Sequence, residues 1–266
     1  MSRRGLLAVA TALVAAALPG AAAPAAAQLE ARGRDVVDGT GRFGFAARPE
    51  VEVCDQGVRM GETHMWWRSY RDRERATNCT FGFVEVELTL RDGRVRDVEL
   101  VRGSAEPARS TVDLGEVSAS EAADFLLALP HDERAADDAA EDALFPAMLA
   151  DAGEVWPRLL ELARDRGVHQ GVRKNALFWL GQEAAETVTG ELSGVALDGA
   201  EDQEIRNAAI FALSQRDEAE SIPVLMEIAR TGEEAETRKT AMFWHAQADD
   251  TRVLRFFEEI LLGRSV

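Results

Sequence analysis

Long apolar runs are missing from most of this sequence. After residue 20, nothing approaches the roughly 18 continuous apolar residues that a membrane-spanning helix needs. At the start of the chain, two arginines precede an Ala-, Leu- and Val-rich run over residues 6–18, and small residues follow at 25–27. This pattern is typical of a secretory signal peptide over residues 1–27. We therefore predict a protein exported to the periplasm or the cell exterior, with no stable membrane insertion of the mature chain.

The export route stays open between two alternatives. The stretch SRRGLL at residues 2–7 is similar to a twin-arginine export motif. Two arginines before an apolar run also suit the general route, which we favour.

Basic residues are scarce. The chain has 30 Lys and Arg against 47 Asp and Glu, a formal net charge of −17, and its arginines are scattered rather than clustered. A polyanion repels phosphate backbones and anionic lipid surfaces. This composition argues against nucleic acid and anionic membranes as partners.

Cysteine occurs only at Cys54 and Cys79. In an exported chain an even pair favours a disulfide, which here would close a loop of about 25 residues and stabilise the fold by roughly 3 kcal/mol. His64 lies between the two, so a Cys/His metal site is the alternative. Its spacing matches no zinc pattern, and two cysteines are too few ligands. We predict a disulfide, no metal site and no cofactor.

Catalytic motifs are also missing. The sequence contains no HExxH, GxSxG, glycine-rich phosphate loop or CxxC pair, and its four histidines are scattered. His64 stands beside Met65, Trp66 and Trp67, yet no carboxylate or second histidine lies at a catalytic spacing. The tryptophans there suit a small core. We predict no catalytic residue, and an envelope hydrolase or lyase with a site near His64 is the alternative.

Strand signals are confined to the first part of the mature chain. Residues 28–49 are polar and glycine-rich and predict a flexible segment. Residues 81–90 alternate apolar and polar side chains, and an Asp-Gly turn at 92–93 leads into a return strand. We predict a small antiparallel β domain over residues 50–103 and a polar linker over 104–117.

One ten-residue pattern occurs three times in the second half: RKNALFWLGQ at 173–182, RNAAIFALSQ at 206–215 and RKTAMFWHAQ at 238–247. A second apolar pattern alternates with it at the same period. A period near 33 is typical of a solenoid of stacked helix pairs. The first helices are predicted at about 119–129, 154–165, 188–198, 220–230 and 250–262. The second helices are predicted at about 138–150, 170–183, 203–215 and 235–247.

These repeats resemble the HEAT-repeat family, in its short form with bilin-lyase-like repeats, over about 118–264. The resemblance implies right-handed stacking, with the second helix of each pair lining a concave face. Such repeats serve scaffolds, adaptors, regulators and a few lyases. Bilin-lyase activity is the one enzymatic function it offers, and the predicted export and the lack of a chromophore site argue against it. The expected fold is α+β: a small disulfide-linked β domain, then an all-α HEAT-like solenoid of about four helix-pair repeats over 118–266.

Two sets of repeated side chains are expected to be structural. The arginines lie in the first turn of each second helix, where the macrodipole disfavours a cation, so they should pair with acids of the neighbouring repeat. The phenylalanines should form core between repeats, which stabilises by about 1.5–3 kcal/mol per buried ring, and a binding groove is the alternative. The arginines are Arg173, Arg206 and Arg238, and the expected acids are Asp202, Glu204, Glu234 and Glu236. The phenylalanines are Phe145, Phe178, Phe211 and Phe243.

A third set suggests a binding surface. Residues three and four apart share a helix face, so repeated amides and tryptophans form one stripe on the second helices. The alternative is a ladder of glutamines bonded from repeat to repeat. Tryptophan is enriched at interface hot spots, and exposed indoles on one face would favour binding. We predict a non-catalytic protein-interaction module or scaffold, with a protein partner that the sequence does not identify. The predicted binding residues are Asn175, Trp179, Gln182, Gln215, Trp244 and Gln247.

Overall fold

The computed structural model describes residues 29, 36–55, 57–60, 64–66, 79–102, 108, 110–183, 185–248 and 250–262. The predicted signal peptide, residues 1–27, lies outside them. So does Trp67 of the cluster around His64.

The described residues form eight strands in two four-stranded sheets. The first sheet has the order β7-β6-β1-β8, and the second has the order β4-β3-β2-β5. All pairings are antiparallel except that of β1 with β8, which is parallel. The strands are β1 (Gly39–Ala46), β2 (Val51–Cys54), β3 (Gly57–Met60), β4 (His64–Trp66), β5 (Cys79–Phe81), β6 (Phe83–Arg91), β7 (Arg94–Leu100) and β8 (Thr111–Glu116).

Two sequence predictions about this region are confirmed. Cys54 and Cys79 form a disulfide between the neighbouring strands β2 and β5. The alternation in β6 buries every second side chain against the helices, and β7 returns as the second strand of a hairpin. Asp92 and Gly93 at its turn have φ values of 53° and 66°, the left-handed conformation that an Asp-Gly hairpin turn requires.

The predicted flexible segment 28–49 is wrong over residues 39–46. These residues form β1, a central strand of the first sheet, in which Phe43 and Phe45 are buried. The glycines that suggested flexibility instead make room for neighbouring side chains. A Cβ at Gly41 would lie 2.9 Å from Leu114, and one at Gly44 would meet the Phe83 ring.

The predicted linker 104–117 is wrong over residues 111–116 for a related reason. This segment is β8, which extends the sheet beside β1, and its Leu114 is buried over Gly41. The strand is short and has a single well-buried apolar side chain, so its sequence carries too little alternation to be recognised.

Ten α-helices and a short 3-10 helix follow in the described residues. They confirm the predicted series of helix pairs, with one difference. The second helix of the first pair is divided at Ala143 into two short helices. The helices are α1 (Ala119–Ala128), α2 (Asp137–Asp142), α3 (Leu144–Leu149), α4 (Trp156–Arg164), α5 (Gln170–Gly181), α6 (Thr187–Leu197), α7 (Gln203–Ser214), α8 (Glu218–Thr231), α9 (Ala235–His245) and α10 (Thr251–Leu261), and the 3-10 helix is Leu129–His131.

Small residues allow the second helices to approach one another. Helix α7 packs between α5 and α9. Ala176, Ala209 and Ala241, which occupy one repeated position, are fully buried. At the end of α5, a Cβ on Gly181 would lie 2.7 Å from the backbone oxygen of Ala212, so glycine is needed for this close contact.

The β region and the helices share one hydrophobic core. Helix α1 packs on β1, α2 packs on β7 and α3 packs on β6. These three helices therefore cover the first sheet. Backbone hydrogen bonds cross this junction: Arg48 donates to Leu149 and Val95 donates to Arg134, both at 2.9 Å. Repeat arrays need a cap on their terminal repeat, and the sheet supplies one here.

Candidate functional site

Six aromatic rings form a continuous row across α3, α5, α7 and α9, called the aromatic row below. The row results from the 33-residue period, because this period places one or two rings of each second helix against the rings of the following second helix. In spatial order the rings are Phe145, Trp179, Phe178, Phe211, Trp244 and Phe243, and successive centroids lie 4.7, 5.0, 6.2, 4.8 and 5.1 Å apart.

Exposure along the row is uneven. Trp179 is buried, with 8% of its surface exposed, because it stacks on Phe145, and Trp244 is half-buried. The two indoles are therefore not the exposed contacts that the sequence suggested. Phe243 is 56% exposed, so the expected interior position of the phenylalanines is wrong there. No further second helix follows α9 in the described part of the chain, and the last ring has no successor to cover it.

The predicted amides lie in three different environments. Asn175 donates a 2.8 Å hydrogen bond to the backbone oxygen of Glu141, which ties α5 to α2. Gln182 is half-buried, whereas Gln215 and Gln247 are exposed beside the row. Among the described residues no hydrogen bond joins one of these glutamines to another, because they follow the last turns of their helices rather than lying within them. The structure thus forms no bonded glutamine ladder.

A cleft of about 770 Å³ lies where the aromatic row meets the first sheet. Strand β7 and the start of β3 form one side, and α2, α3 and α5 form the other. Its aromatic lining consists of Phe145, Phe178 and Trp179, and further apolar lining comes from Val58, Val98, Leu100 and Pro146. Its charged lining consists of Asp97, Glu99, Glu141, Asp142 and Arg102.

The acids of this cleft repel one another. Partial burial, followed by the negative charges of Asp97, Glu141 and Asp138, raises the pKa of Asp142 above its ordinary value. In the part of the chain that the structure describes, Asp97, Glu99 and Asp142 have no ion-pair partner. The cleft therefore has an excess of negative charge beside an aromatic wall.

The repeated arginines are structural, as expected, but their main acceptors are not the predicted ones. Each guanidinium bonds a backbone oxygen at or near the end of the preceding helix, where the macrodipole is negative. This interaction offsets the unfavourable position in the first turn of the following helix. These helix-end acceptors are Ala163 for Arg173 at 2.9 Å, Asp198 for Arg206 at 3.4 Å and Gly232 for Arg238 at 2.7 Å. Arg206 has closer acceptors as well: the backbone oxygen of Glu201, the side chain of Gln203 at 2.8 Å and the hydroxyl of Thr237 at 3.2 Å.

Of the four acids expected to pair with these arginines, one lies near its arginine. Asp202 is 4.0 Å from Arg173, while Glu201 lies closer, with its Oε2 2.5 Å from the Arg173 Nη2. Glu201 is buried and Asp202 is exposed, so the closer pair is also the more desolvated one. The sequence did not distinguish these adjacent acids, because only the packing shows which one enters the interface.

Another buried arginine, Arg216, was not recognised in the sequence. Arg216 donates to the hydroxyl of Thr189 at 2.6 Å and to the backbone oxygen of Glu183 at 2.6 Å, and it pairs with Glu220 at 2.9 Å. Hydrogen bonds from Thr189 and then Arg216 lower the pKa of Glu220. The cluster joins α6 to the start of α8. Arg216 has no counterpart in the neighbouring repeats, so periodicity could not reveal it.

The alternative site at His64 lies largely outside the described residues. The backbone of His64 belongs to β4 and pairs with Met60. Within the described ranges, no group of three or more His, Cys, Asp or Glu side chains is arranged to hold a metal ion. Of the helices described, none has the length and apolar character that crossing a membrane requires.

These observations define a class of protein: an α-solenoid in which α1, α2 and α3 pack on a β-sheet. The aromatic row lies along the second helices of its helix pairs. Residues 157–243 match the family of HEAT repeats. The segment from α4 to α9 is therefore an array of HEAT repeats, a helical module commonly used for protein interaction. None of the curated proteins compared with the chain matches it.

Proposed function

We propose that this protein is an exported, non-catalytic interaction module that binds a protein partner along its aromatic row. The row itself carries the proposal: its rings continue across four second helices, from the acidic cleft to the exposed ring of Phe243. The resemblance to HEAT repeats implies that this face is concave, which would let a partner lie along it.

Two further features support binding on this face. Aromatic side chains dominate the hot spots of protein interfaces, and rings that already stack on one another lose little conformational freedom on binding. Gln215 and Gln247 are exposed beside the row and could supply the polar rim that surrounds an interface core. A scaffold role follows if one partner occupies the row while other surfaces stay accessible.

Photo-crosslinking tests this proposal directly. We expect p-benzoylphenylalanine at position 243 to form a discrete adduct with one protein when the chain is produced in its own cells. Position 81 provides the matched control, because Phe81 is also exposed, at 66%, but lies in the second sheet away from the row. Adducts are read by immunoblot and identified by mass spectrometry.

The captured partner must then depend on the exposed ring. With the purified partner, Phe243→Ser should weaken binding at least about tenfold, as loss of a hot-spot ring does, whereas Phe81→Ser should leave it unchanged. The same adduct from position 81, or equal affinity of wild type and Phe243→Ser, would show that the row is not the binding surface.

Export is supported by the Cys54–Cys79 disulfide, since such bonds persist mainly in oxidising compartments. We expect the protein recovered from the envelope fraction or the medium to lack residues 1–27 and to carry the disulfide. Intact mass, measured with and without reduction and alkylation, reports both. A full-length, reduced protein confined to the cytosol would contradict export and leave the crosslinking test unaffected.

A further inference from the structure

We propose that the cleft at the end of the aromatic row receives a lysine or arginine side chain of the partner protein. This inference rests on the proposed function and adds the chemistry by which the partner is recognised. The cleft lies between β7 and helices α2, α3 and α5, and it joins the row at Phe145 and Trp179.

Charge complementarity is the first argument. Asp97 and Glu99 on β7 face the same cleft as Asp142 on α2, and all three are exposed. Arg102 is the only cation among the lining residues that the structure describes, so the acids outnumber it. Partial burial, and after it the charges of Asp97, Glu141 and Asp138, raise the pKa of Asp142, so this environment disfavours its charge. A bound cation would offset the repulsion among these acids.

The aromatic wall is the second argument, since it favours an organic cation on a carbon stem. Ammonium and guanidinium groups are attracted to ring faces, and the methylene stems of lysine and arginine pack on apolar surface. Phe145 and Phe178 are half-buried and line the cleft beside Trp179. A bare divalent ion would use none of this surface, and the described acids are not arranged as a metal-binding group.

Size and position are the third argument. A volume of about 770 Å³ lies within the range of ligand-binding pockets, about 300–1,000 Å³, and exceeds what one small ion fills. The cleft opens onto the aromatic row. A single partner segment can therefore lie along the row and insert its cationic residue at the end nearest the sheet.

Two peptides that differ only in charge test the inference. The probe is fluorescein-labelled Gly-Arg-Gly-Arg-Gly, and the control carries citrulline, which keeps the shape of arginine without its charge. In fluorescence polarisation with the full chain at low salt, we expect the arginine peptide to bind at least about fivefold more tightly, within the range of exposed cation–π and ion-pair contacts.

Variants locate the binding. Asp97→Asn/Asp142→Asn should remove most of the difference between the peptides. The control Glu227→Gln/Glu258→Gln removes the same two charges at exposed positions on α8 and α10, neither of which lines the cleft, and should keep the difference. Equal binding of the two peptides would overturn the inference, because charge would then play no part in recognition. Equal loss in both variants would also overturn it, because only general attraction to a chain of net charge −17 would then remain.

A measurement on the wild type makes the test independent of the variants. With ¹⁵N-labelled tryptophan, the arginine peptide should shift the indole resonance of Trp179 and leave that of Trp156, at the start of α4, in place. An unmoved Trp179 resonance at saturating peptide would count against the cleft.

The proposed binding along the aromatic row and the proposed cation recognition in the cleft can be rejected independently of each other. If position 243 captures a partner but the arginine and citrulline peptides bind alike, the charge-based recognition is wrong and the proposed function stands. If the peptide binds in the cleft and position 243 captures nothing, the cleft chemistry stands and the row is not an interface.

Discussion

Replacing Arg173 by alanine is expected to lower the free energy of unfolding by about 3–5 kcal/mol, the cost of removing one partner of a buried ion pair. Arg173 is 2% exposed; its Nη2 lies 2.5 Å from Oε2 of Glu201, and its Nε donates to Ala163 at 2.9 Å. Alanine would remove the hydrogen bonds that Arg173 donates to the buried carboxylate of Glu201 and to the carbonyl of Ala163. Since domains are stable by only about 5–15 kcal/mol, the loss is a large part of the total.

Glu201 is ionised at neutral pH, which is why the cost is large. Burial alone would raise its pKa, but hydrogen bonds from Arg173 and from the backbone of Asp202 more than offset burial, so its pKa is lowered. Once Arg173 is removed, Arg166 is the remaining cation nearby, with its Nε 4.0 Å away and its side chain mostly exposed. It can replace only a small part of the interaction.

Urea unfolding at pH 7 measures this effect. The control is Lys174→Ala, one residue further along α5, where a half-exposed lysine lies 3.6 Å from Glu204; it should cost no more than about 1 kcal/mol. The double variant Arg173→Ala/Glu201→Ala should recover part of the loss, because it removes the uncompensated charge. If Arg173→Ala costs no more than Lys174→Ala, the arginine does not join the repeats as the structure indicates.

Mild acid is expected to destabilise the end of the solenoid through His245. This residue of α9 is fully buried, and in the described part of the chain neither ring nitrogen has a hydrogen-bond partner. The rings of Phe256 and Phe257 on α10 cover it, with centroids 5.1 and 5.9 Å away. A proton bound here would place a charge in an apolar interface.

The charged groups around His245 favour the same direction. Its pKa is lowered by burial, which outweighs the other effects, and further by Arg230 on α8 and Arg252 on α10. Asp250 opposes this shift; hydrogen bonds from Arg252 hold the pKa of Asp250 at about 2, so it stays ionised in mild acid. The neutral imidazole is therefore the form that the folded protein favours.

The sign of the pH dependence follows from that preference. Because the folded-state pKa of His245 is below the unfolded value of 6.5, the unfolded chain binds the proton more readily. The contribution of His245 is fully present above pH 6.5 and declines as pH falls towards and through the folded-state pKa, by up to about 1.4 kcal/mol per pH unit. Carboxylates with lowered pKa values, such as Glu201, lose their contribution only at more acid pH, below about 4.5.

Unfolding free energies at pH 7.5, 6.5 and 5.5 test this prediction. On acidification, the free energy of unfolding of wild type should fall relative to that of His245→Leu, because leucine fills a similar volume and does not titrate. His131→Asn is the matched control at an exposed histidine and should preserve the wild-type loss. If His245→Leu loses stability with falling pH as steeply as wild type, another group is responsible.

Local signals allowed much of the fold to be predicted. The 33-residue period and the apolar spacing placed the helix pairs within a few residues, because helix formation follows the pattern of neighbouring side chains. The Asp-Gly turn and the alternation of β6 identified one hairpin for the same reason. An even pair of cysteines after a predicted export signal was enough to predict the disulfide between Cys54 and Cys79.

The errors in the β region have a non-local cause. Gly41 and Gly44 resemble residues of a flexible segment until Leu114 and Phe83 are placed over them, and only then does their lack of a side chain become a packing requirement. The partners that make β1 a strand lie about 40 to 75 residues further along the chain. No short window of sequence contains both.

The sequence by itself determined the period, the helix pairs, the disulfide and the positions of the repeated aromatic and arginine residues. Only the tertiary structure decided that Trp179 is covered while Phe243 is exposed, that Arg173 binds Glu201, and that Asp97 and Asp142 meet in one cleft. The physical reason is that hydrogen-bonding propensity and periodicity act between neighbours in the chain. The burial of a ring and the environment of a charge depend instead on whatever distant element packs against them.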